Sequence, residues 1–229
     1  AAPERRRSRA GGDLLRRWAG RRPAGRGLIE AVVLDYGNVL SLEQEGEAVT
    51  RLEGLTGAEA TLFAEAYWRY RDDFDRGVLD GAAYWRSVAA DLGVDLSDDR
   101  VAELVREDAQ SWVRLNERMV AWLWSLVDAG VPTAILSNMA RETWELAGPP
   151  LEGVPATVSF ELGVIKPEPE IYHACLARLG VEPREAVFVD DRPVNVEAAR
   201  QLGMQAFVFV GADELRAELE ASGFPFPLP

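Results

Sequence analysis

The chain has 229 residues, 48% of them hydrophobic, with seven tryptophans and a formal net charge of −13. That is enough apolar material for one well-packed domain, or for a core domain carrying a smaller insert. The acidic balance argues against nucleic acid as a partner, and the longest apolar stretch, Met119 to Val127, is far too short to cross a bilayer.

Charge is unevenly spread along the chain. Residues 1–28 hold nine arginines against Glu4 and Asp13, a net +7 that leaves −20 for the remainder. This Arg/Gly/Ala/Pro-rich stretch lacks the apolar periodicity needed to fold, so a disordered basic tail is expected. Next comes the apolar run Ala31-Val-Val-Leu-Asp35, followed far downstream by Thr133-Ala-Ile-Leu-Ser137 and Ala186-Val-Phe-Val-Asp190. Runs this apolar, separated by helical patterns, read as buried parallel strands. Thr157–Phe160 and Gln205–Val210 add two more. Helices are expected near 116–129, 140–147, 168–179, 194–202 and 212–221, with Gly130, Gly180 and Gly203 as C-terminal caps. About a hundred residues separate Asp35 from Ser137, too many for one crossover helix. The stretch 43–112 reads as a helical insert with helices near 58–70, 82–92 and 98–110. Its aromatic group, Tyr67, Trp68, Tyr70, Phe74, Tyr84 and Trp85, is expected to be mostly core, with one or two rings lining a pocket. The core would then comprise 29–42 and 113–229.

In an open parallel sheet, ligands bind beyond the carboxyl ends of the strands, and Asp35, Ser137 and Asp190 all lie at such ends. A strand-end carboxylate beside a glycine turn, as in Asp35-Tyr36-Gly37-Asn38, suits nucleophilic attack on phosphorus, with turn amides holding the phosphoryl oxygens. Ser137 and Asn138 offer a hydroxyl and an amide to another oxygen. Lys166, in Gly163-Val-Ile-Lys-Pro-Glu-Pro169, is the only lysine in the chain. Its compact ammonium can sit between a carboxylate and a phosphate where a guanidinium would not fit. Asp190 and Asp191, opposite Asp35, make a hard-oxygen site for Mg²⁺.

At these residues the sequence resembles the haloacid dehalogenase superfamily of phosphohydrolases. VVLDYGNVL, AILSNM, GVIKPEPEIY and VFVDDRPVNVEAARQLGM match its four motifs. Within it, the chain looks most like the phosphatase branch related to the N-terminal domain of soluble epoxide hydrolase. The resemblance implies a Rossmann-like α/β core, a parallel sheet flanked by helices, with an inserted α-helical cap at 43–112. It implies a Mg²⁺-dependent phosphomonoesterase acting on a small phosphorylated metabolite through an aspartyl-phosphate on Asp35. Ser137, Asn138 and Lys166 would hold the phosphate. Asp190, Asp191 and the Gly37 carbonyl would join Asp35 around the metal, with Asn195 supporting that site.

One position departs from the family. Most phosphatases of the superfamily carry an aspartate two residues after the nucleophile, as general acid and base; here that residue is Gly37. Slow turnover of simple alkyl phosphates is expected, with better turnover of aryl or anomeric sugar phosphates. Two alternatives remain: a fold kept as a catalytically weak binding module, and a metal-independent 2-haloacid dehalogenase, against which the Asp190-Asp191 pair argues. Among the remaining residues, a surface or packing role suits His173, Cys175 reads as a small buried helix residue, and Glu161 is a candidate partner for Lys166. Cys175, the single cysteine, excludes an internal disulfide and fits a reducing, cytoplasmic setting.

Overall fold

The computed structural model describes residues 29–226 and 228. The basic tail expected at 1–28 lies outside the described residues.

Five parallel strands form one sheet: β1 (Ala31–Leu34), β2 (Thr133–Ser137), β3 (Ala156–Val158), β4 (Ala186–Asp190) and β5 (Gln205–Val208). Their order is β3-β2-β1-β4-β5. Register pairs Val33 with Ala134 on one side and with Phe188 on the other. Because side chains alternate along a strand, each strand feeds two cores. Val32, Leu34, Ile135, Val187 and Val189 face one layer, with Met119, Trp122, Leu123 and Leu126. These last residues belong to α6 (Glu117–Asp128). Ala31, Val33, Leu136 and Phe188 face the other layer, against Ile171, Tyr172, Cys175 and Leu176. Those four lie on α9 (Pro169–Leu179), and Val196 and Ala199 of α10 (Pro193–Gln201) join them. Burial on both faces explains why the strands read as unbroken apolar runs. Trp122 is fully buried, and truncating it to alanine would cost about 3–5 kcal/mol. A last helix, α11 (Ala212–Ala221), adds Leu215 and Leu219 to the first layer.

Between β1 and α6 stand five helices: α1 (Gly46–Thr56), α2 (Ala60–Arg69), α3 (Arg71–Asp75), α4 (Gly81–Leu92) and α5 (Asp98–Ser111). Sequence periodicity anticipates α2, α4 and α5 but not α1 or the single turn α3. The insert has its own core, including Leu52, Phe63, Tyr67, Phe74, Tyr84, Trp85 and Leu104. Phe74 and Tyr84 stack at 4.5 Å between centroids. Side chains cap its helices: Asp80 accepts from Ala83 N, and Ser97 from Arg100 N. Entry and exit strands of the insert run side by side, joined by a Ser41–Leu115 antiparallel bridge and by Leu42 N donating to Arg114 O at 2.7 Å.

Two strands are shorter than the apolar runs suggest. After Val158 the chain turns into a short helix, α8 (Ser159–Leu162), because the buried Ser159 hydroxyl is taken up in tertiary hydrogen bonds. The fifth strand ends at Val208, with Phe209 N making the last ladder bond, to Asp190 O at 2.9 Å. Gly130, Gly180 and Gly203 all adopt positive φ (76°, 72° and 94°), the conformation that a left-handed helix cap requires. No helix among the described residues is long and apolar enough to cross a membrane.

Candidate active site at the strand ends

The chain runs outward from β1 through β2 to β3, then returns to β4 beside β1. The carboxyl ends of β1, β2 and β4 therefore open onto the point where strand order reverses. Asp35, Ser137 and Asp190 meet there, although they are widely separated in sequence.

Asp35 is held at the end of β1 by its own N–H, which donates to Val189 O at 2.9 Å, and its Oδ1 accepts from Tyr36 N at 2.7 Å. Tyr36–Leu40 follows as one wide turn, closed by Ser41 N donating to Tyr36 O at 2.7 Å. Within it Asn38 takes a left-handed φ of 55°, which asparagine tolerates better than most side chains. That conformation delivers the Asn38 amide to Asp191 Oδ2 at 2.8 Å, while Ser41 Oγ accepts from Asn38 N at 3.2 Å.

Lys166 arrives from the loop before α9 and is only 1% exposed. Its ammonium lies 2.7 Å from Asp35 Oδ1 and 2.7 Å from Asp190 Oδ2, and donates to Leu136 O at 3.0 Å. Burial alone would lower its pKa, but the Asp190 and Asp35 charges outweigh that and hold it above the ordinary lysine value. Asp35 moves the other way from the usual paired carboxylate. Burial raises it well above its ordinary value, Lys166 opposes the rise, and Asp190 adds to it. The partner expected for Lys166 from its own neighbourhood, Glu161, is instead exposed on α8. An ammonium this deeply buried is neutralised by buried carboxylates, here Asp35 and Asp190 at the strand ends.

Asn138 is used differently from the expected phosphate contact. Its Nδ2 donates to Lys166 O at 2.9 Å, and its Oδ1 accepts from Lys166 N at 2.7 Å. The two bonds clamp the lysine loop to the end of β2. Ser137, 1% exposed, lines the cavity beside it.

The paired acids are also unlike one another. Asp190 Oδ1 accepts from Arg192 N at 2.8 Å and Asn195 Nδ2 at 3.0 Å; Oδ2 accepts from Lys166 at 2.7 Å and Asn195 Nδ2 at 3.1 Å. Three donor atoms, Arg192 N, Lys166 Nζ and an Asn195 Nδ2 that spans both oxygens, thus engage this carboxylate. Asp191 is half-buried, with burial as the main cause of its raised pKa. Ligand oxygens of Asp35, Asp190 and Asp191 lie within 4.8 Å of one another, a hard-oxygen cluster of the kind that holds Mg²⁺.

A cavity of about 130 Å³ covers these groups. Its floor includes Asp35, Ser137, Lys166 and Asp191, and its roof, from the insert, includes Trp68, Arg71, Asp75 and Trp112. Trp68 is the one expected aromatic that lines the cavity; Tyr67, Phe74, Tyr84 and Trp85 are core. Sequence reasoning passed over Arg71, Asp75, Trp112 and the Asn38 side chain. One signal was available: Tyr67, Arg71 and Asp75 follow at steps of four, placing two charges on an otherwise apolar helical face. His173 is exposed and Cys175 is buried, as expected; burial pushes the thiol up to about 11.

A haloacid dehalogenase-like hydrolase family model matches residues 29–203. Flavin mononucleotide hydrolase 1 of Arabidopsis thaliana is 42% identical over 67 residues, 29% of this chain and 27% of that protein. D-ribitol-5-phosphate phosphatase of Bacteroides thetaiotaomicron is 24% identical over 208 residues, covering 84% of this chain and 97% of that one. A HAD family enzyme of Bacteroides thetaiotaomicron, solved in complex with magnesium and inorganic phosphate, superposes with a TM-score of 0.63. That superposition covers 79% of this chain and 93% of the other at 21% identity, a likeness of fold. With the match spanning the core, the insert and all four strand-end motifs, the chain belongs to the haloacid dehalogenase-like hydrolases.

Proposed function

We propose that this chain is a Mg²⁺-dependent phosphomonoesterase acting on a small organophosphate, with Asp35 as the nucleophile that becomes an aspartyl-phosphate. The observation that carries this reading is the placement of Lys166, a buried ammonium bridging Asp35 and Asp190 at 2.7 Å each beside the cluster with Asp191. The donor set fits the metal. Asp35 and Asp191, with the Gly37 carbonyl, would hold it, whereas Asp190, which already accepts from Lys166, Asn195 and Arg192 N, would position Lys166 and the start of α10 beside it. Once bound, Mg²⁺ would offset the repulsion between Asp35 and the phosphoryl oxygens and orient the attack. Lys166 stabilises the charge that develops on the transferring group, and Ser137 donates to one of its oxygens. Asn138 keeps Lys166 in register. The helices of 43–112 act as a cap that excludes water.

The cavity, about 130 Å³, suits a phosphoryl group with a small leaving group and falls below the range of about 300–1,000 Å³ usual for larger ligands. Relatives named for a flavin mononucleotide and a D-ribitol phosphate support phosphate-ester chemistry. The test is hydrolysis of p-nitrophenyl phosphate with and without Mg²⁺, alongside Asp35→Asn. Metal-dependent release that falls to background in the variant is expected. Inactivity across a broad panel of phosphate esters would identify a binding module, and halide release from a 2-haloacid without metal would identify a dehalogenase.

A further inference from the structure

Cleaving an alkyl phosphate leaves an alkoxide, which needs a proton. Gly37, two residues after Asp35, has no side chain to give one. In the cavity, Asp35, Asp191 and Lys166 are already assigned to the nucleophile, the metal and the phosphoryl charge. The Tyr36 hydroxyl donates to Trp112 O at 3.0 Å, and burial raises its pKa out of a useful range. Arg71 and Arg192 carry guanidinium groups, which do not give up a proton in proteins.

Asp75, the last residue of α3, is the carboxyl that the insert contributes to this cavity. Its main chain is tied to the catalytic floor through one buried side chain. Ser159 Oγ accepts from Met139 N at 2.8 Å and donates to Asp75 O, and Met139 lies two residues after Ser137. On its other side Arg71 Nε forms an ion pair with Asp75 Oδ1 at 3.2 Å, and among the described residues no well-aligned hydrogen bond reaches that oxygen. Arg71 aims its hydrogen bonds elsewhere, donating from Nη1 to Asp108 Oδ2 at 3.1 Å and to Tyr67 OH at 2.8 Å. One guanidinium thus faces two buried carboxylates and satisfies Asp108 better.

We infer that Asp75 is the general acid and base of the reaction, supplying from the cap the carboxyl that Gly37 lacks; the inference rests on the phosphatase reading. As Asp35 attacks phosphorus and the bond from phosphorus to the leaving oxygen breaks, protonated Asp75 gives its proton to that oxygen, releasing the alcohol. The Asp75 carboxylate then takes a proton from water as the water oxygen attacks the phosphorus. The bond to Asp35 breaks, releasing inorganic phosphate and restoring both side chains. Charged groups around Asp75 are Arg71 and Asp72 on or beside its own turn, Asp108 on α5, and Asp35, Lys166, Asp191 and Arg192 across the cavity. Burial, opposed by Arg71 and reinforced by Asp108 and Asp72, raises its pKa to about 6.

The test is rapid-quench measurement of Asp35 phosphorylation, with Mg²⁺ present, from glycerol phosphate and from p-nitrophenyl phosphate, in wild type and Asp75→Asn. The variant is expected to phosphorylate from the alkyl ester about 10²–10⁴-fold more slowly, and from the aryl ester within about tenfold of wild type, since a phenolate leaves without a full proton transfer. Slow dephosphorylation should then appear as a p-nitrophenolate burst equal to the enzyme present. Wild-type kcat/KM for the alkyl ester should fall as pH rises through the Asp75 titration, followed independently by carboxyl ¹³C chemical shift in the metal-free protein with a midpoint near 6. Equal slowing of both esters, slowing of neither, or a wild type that turns over only the aryl ester would overturn the inference and leave the phosphatase reading standing. Inactivity of wild type on both esters would overturn both.

Discussion

Lys166 directs its ammonium toward Asp35, Asp190 and the Leu136 carbonyl, at 2.7, 2.7 and 3.0 Å. Three acceptors around one buried nitrogen suit a compact cation, whereas a planar guanidinium of the same charge would push into the Phe188 ring, whose centroid is 5.7 Å away. Lys166→Arg is therefore expected to lose about 10²–10³-fold in kcat while circular dichroism shows the fold retained. Near-normal turnover would show that charge alone is required. The lysine was legible in the sequence because it is the only one; its partners were not. Asn138 looked like a ligand for phosphate because it follows a strand-end serine. Only the return of residues 163–168 past β2 shows that its amide has the Lys166 backbone to satisfy.

At the scale of elements, the insert and the lysine loop are coupled. Arg76, just past α3, makes a two-pronged contact with Glu168, two residues beyond Lys166. Nearby, Gly81 begins α4 with its N–H donating to Glu142 Oε1 at 2.7 Å, so close that a Cβ there would meet Glu142 and Val105 at 2.9 Å. The Arg76–Glu168 pair is partly exposed, so it adds no more than about 1 kcal/mol to stability, but it ties the insert to the loop that carries Lys166. Arg76→Ala is expected to shift thermal unfolding little and to lower kcat/KM by about 3–10-fold, an effect of misplacement rather than lost chemistry. An unchanged kcat/KM would mean that the cap and the loop are positioned independently. Helices α2, α4 and α5 were readable from periodicity. The five-residue α3 was not, since one turn is too short to show a period, yet it carries both Arg71 and Asp75.

Across the whole molecule, the strand order β3-β2-β1-β4-β5 brings Asp35, Asp190 and Asp191 together at the carboxyl ends of the neighbouring inner strands β1 and β4. Ligand oxygens of Asp35, Asp190 and Asp191 lie within 4.8 Å of one another there, and burial, opposed by Lys166 and reinforced by Asp190 and Asp191, raises the Asp35 pKa well above its ordinary value. A bound divalent cation should stabilise the folded state by about 2.7 kcal/mol at a hundredfold excess over its Kd. Scanning calorimetry with Mg²⁺ against chelator should show a rise in Tm of about 5–10 °C, lost in Asp191→Asn. Absence of any shift would remove the metal from the proposed mechanism. The sequence by itself determined the parallel sheet, because strands buried on both faces must be apolar throughout, and it determined which residues stand at strand ends. Only the tertiary structure shows that Asp190 meets Lys166 and Asn195 while Asp191 meets Asn38, and that Asp75 of the insert lines the same cavity as Asp35. Those outcomes depend on which donors meet each carboxylate and on approach across more than thirty residues of chain, and neither is written in local pattern.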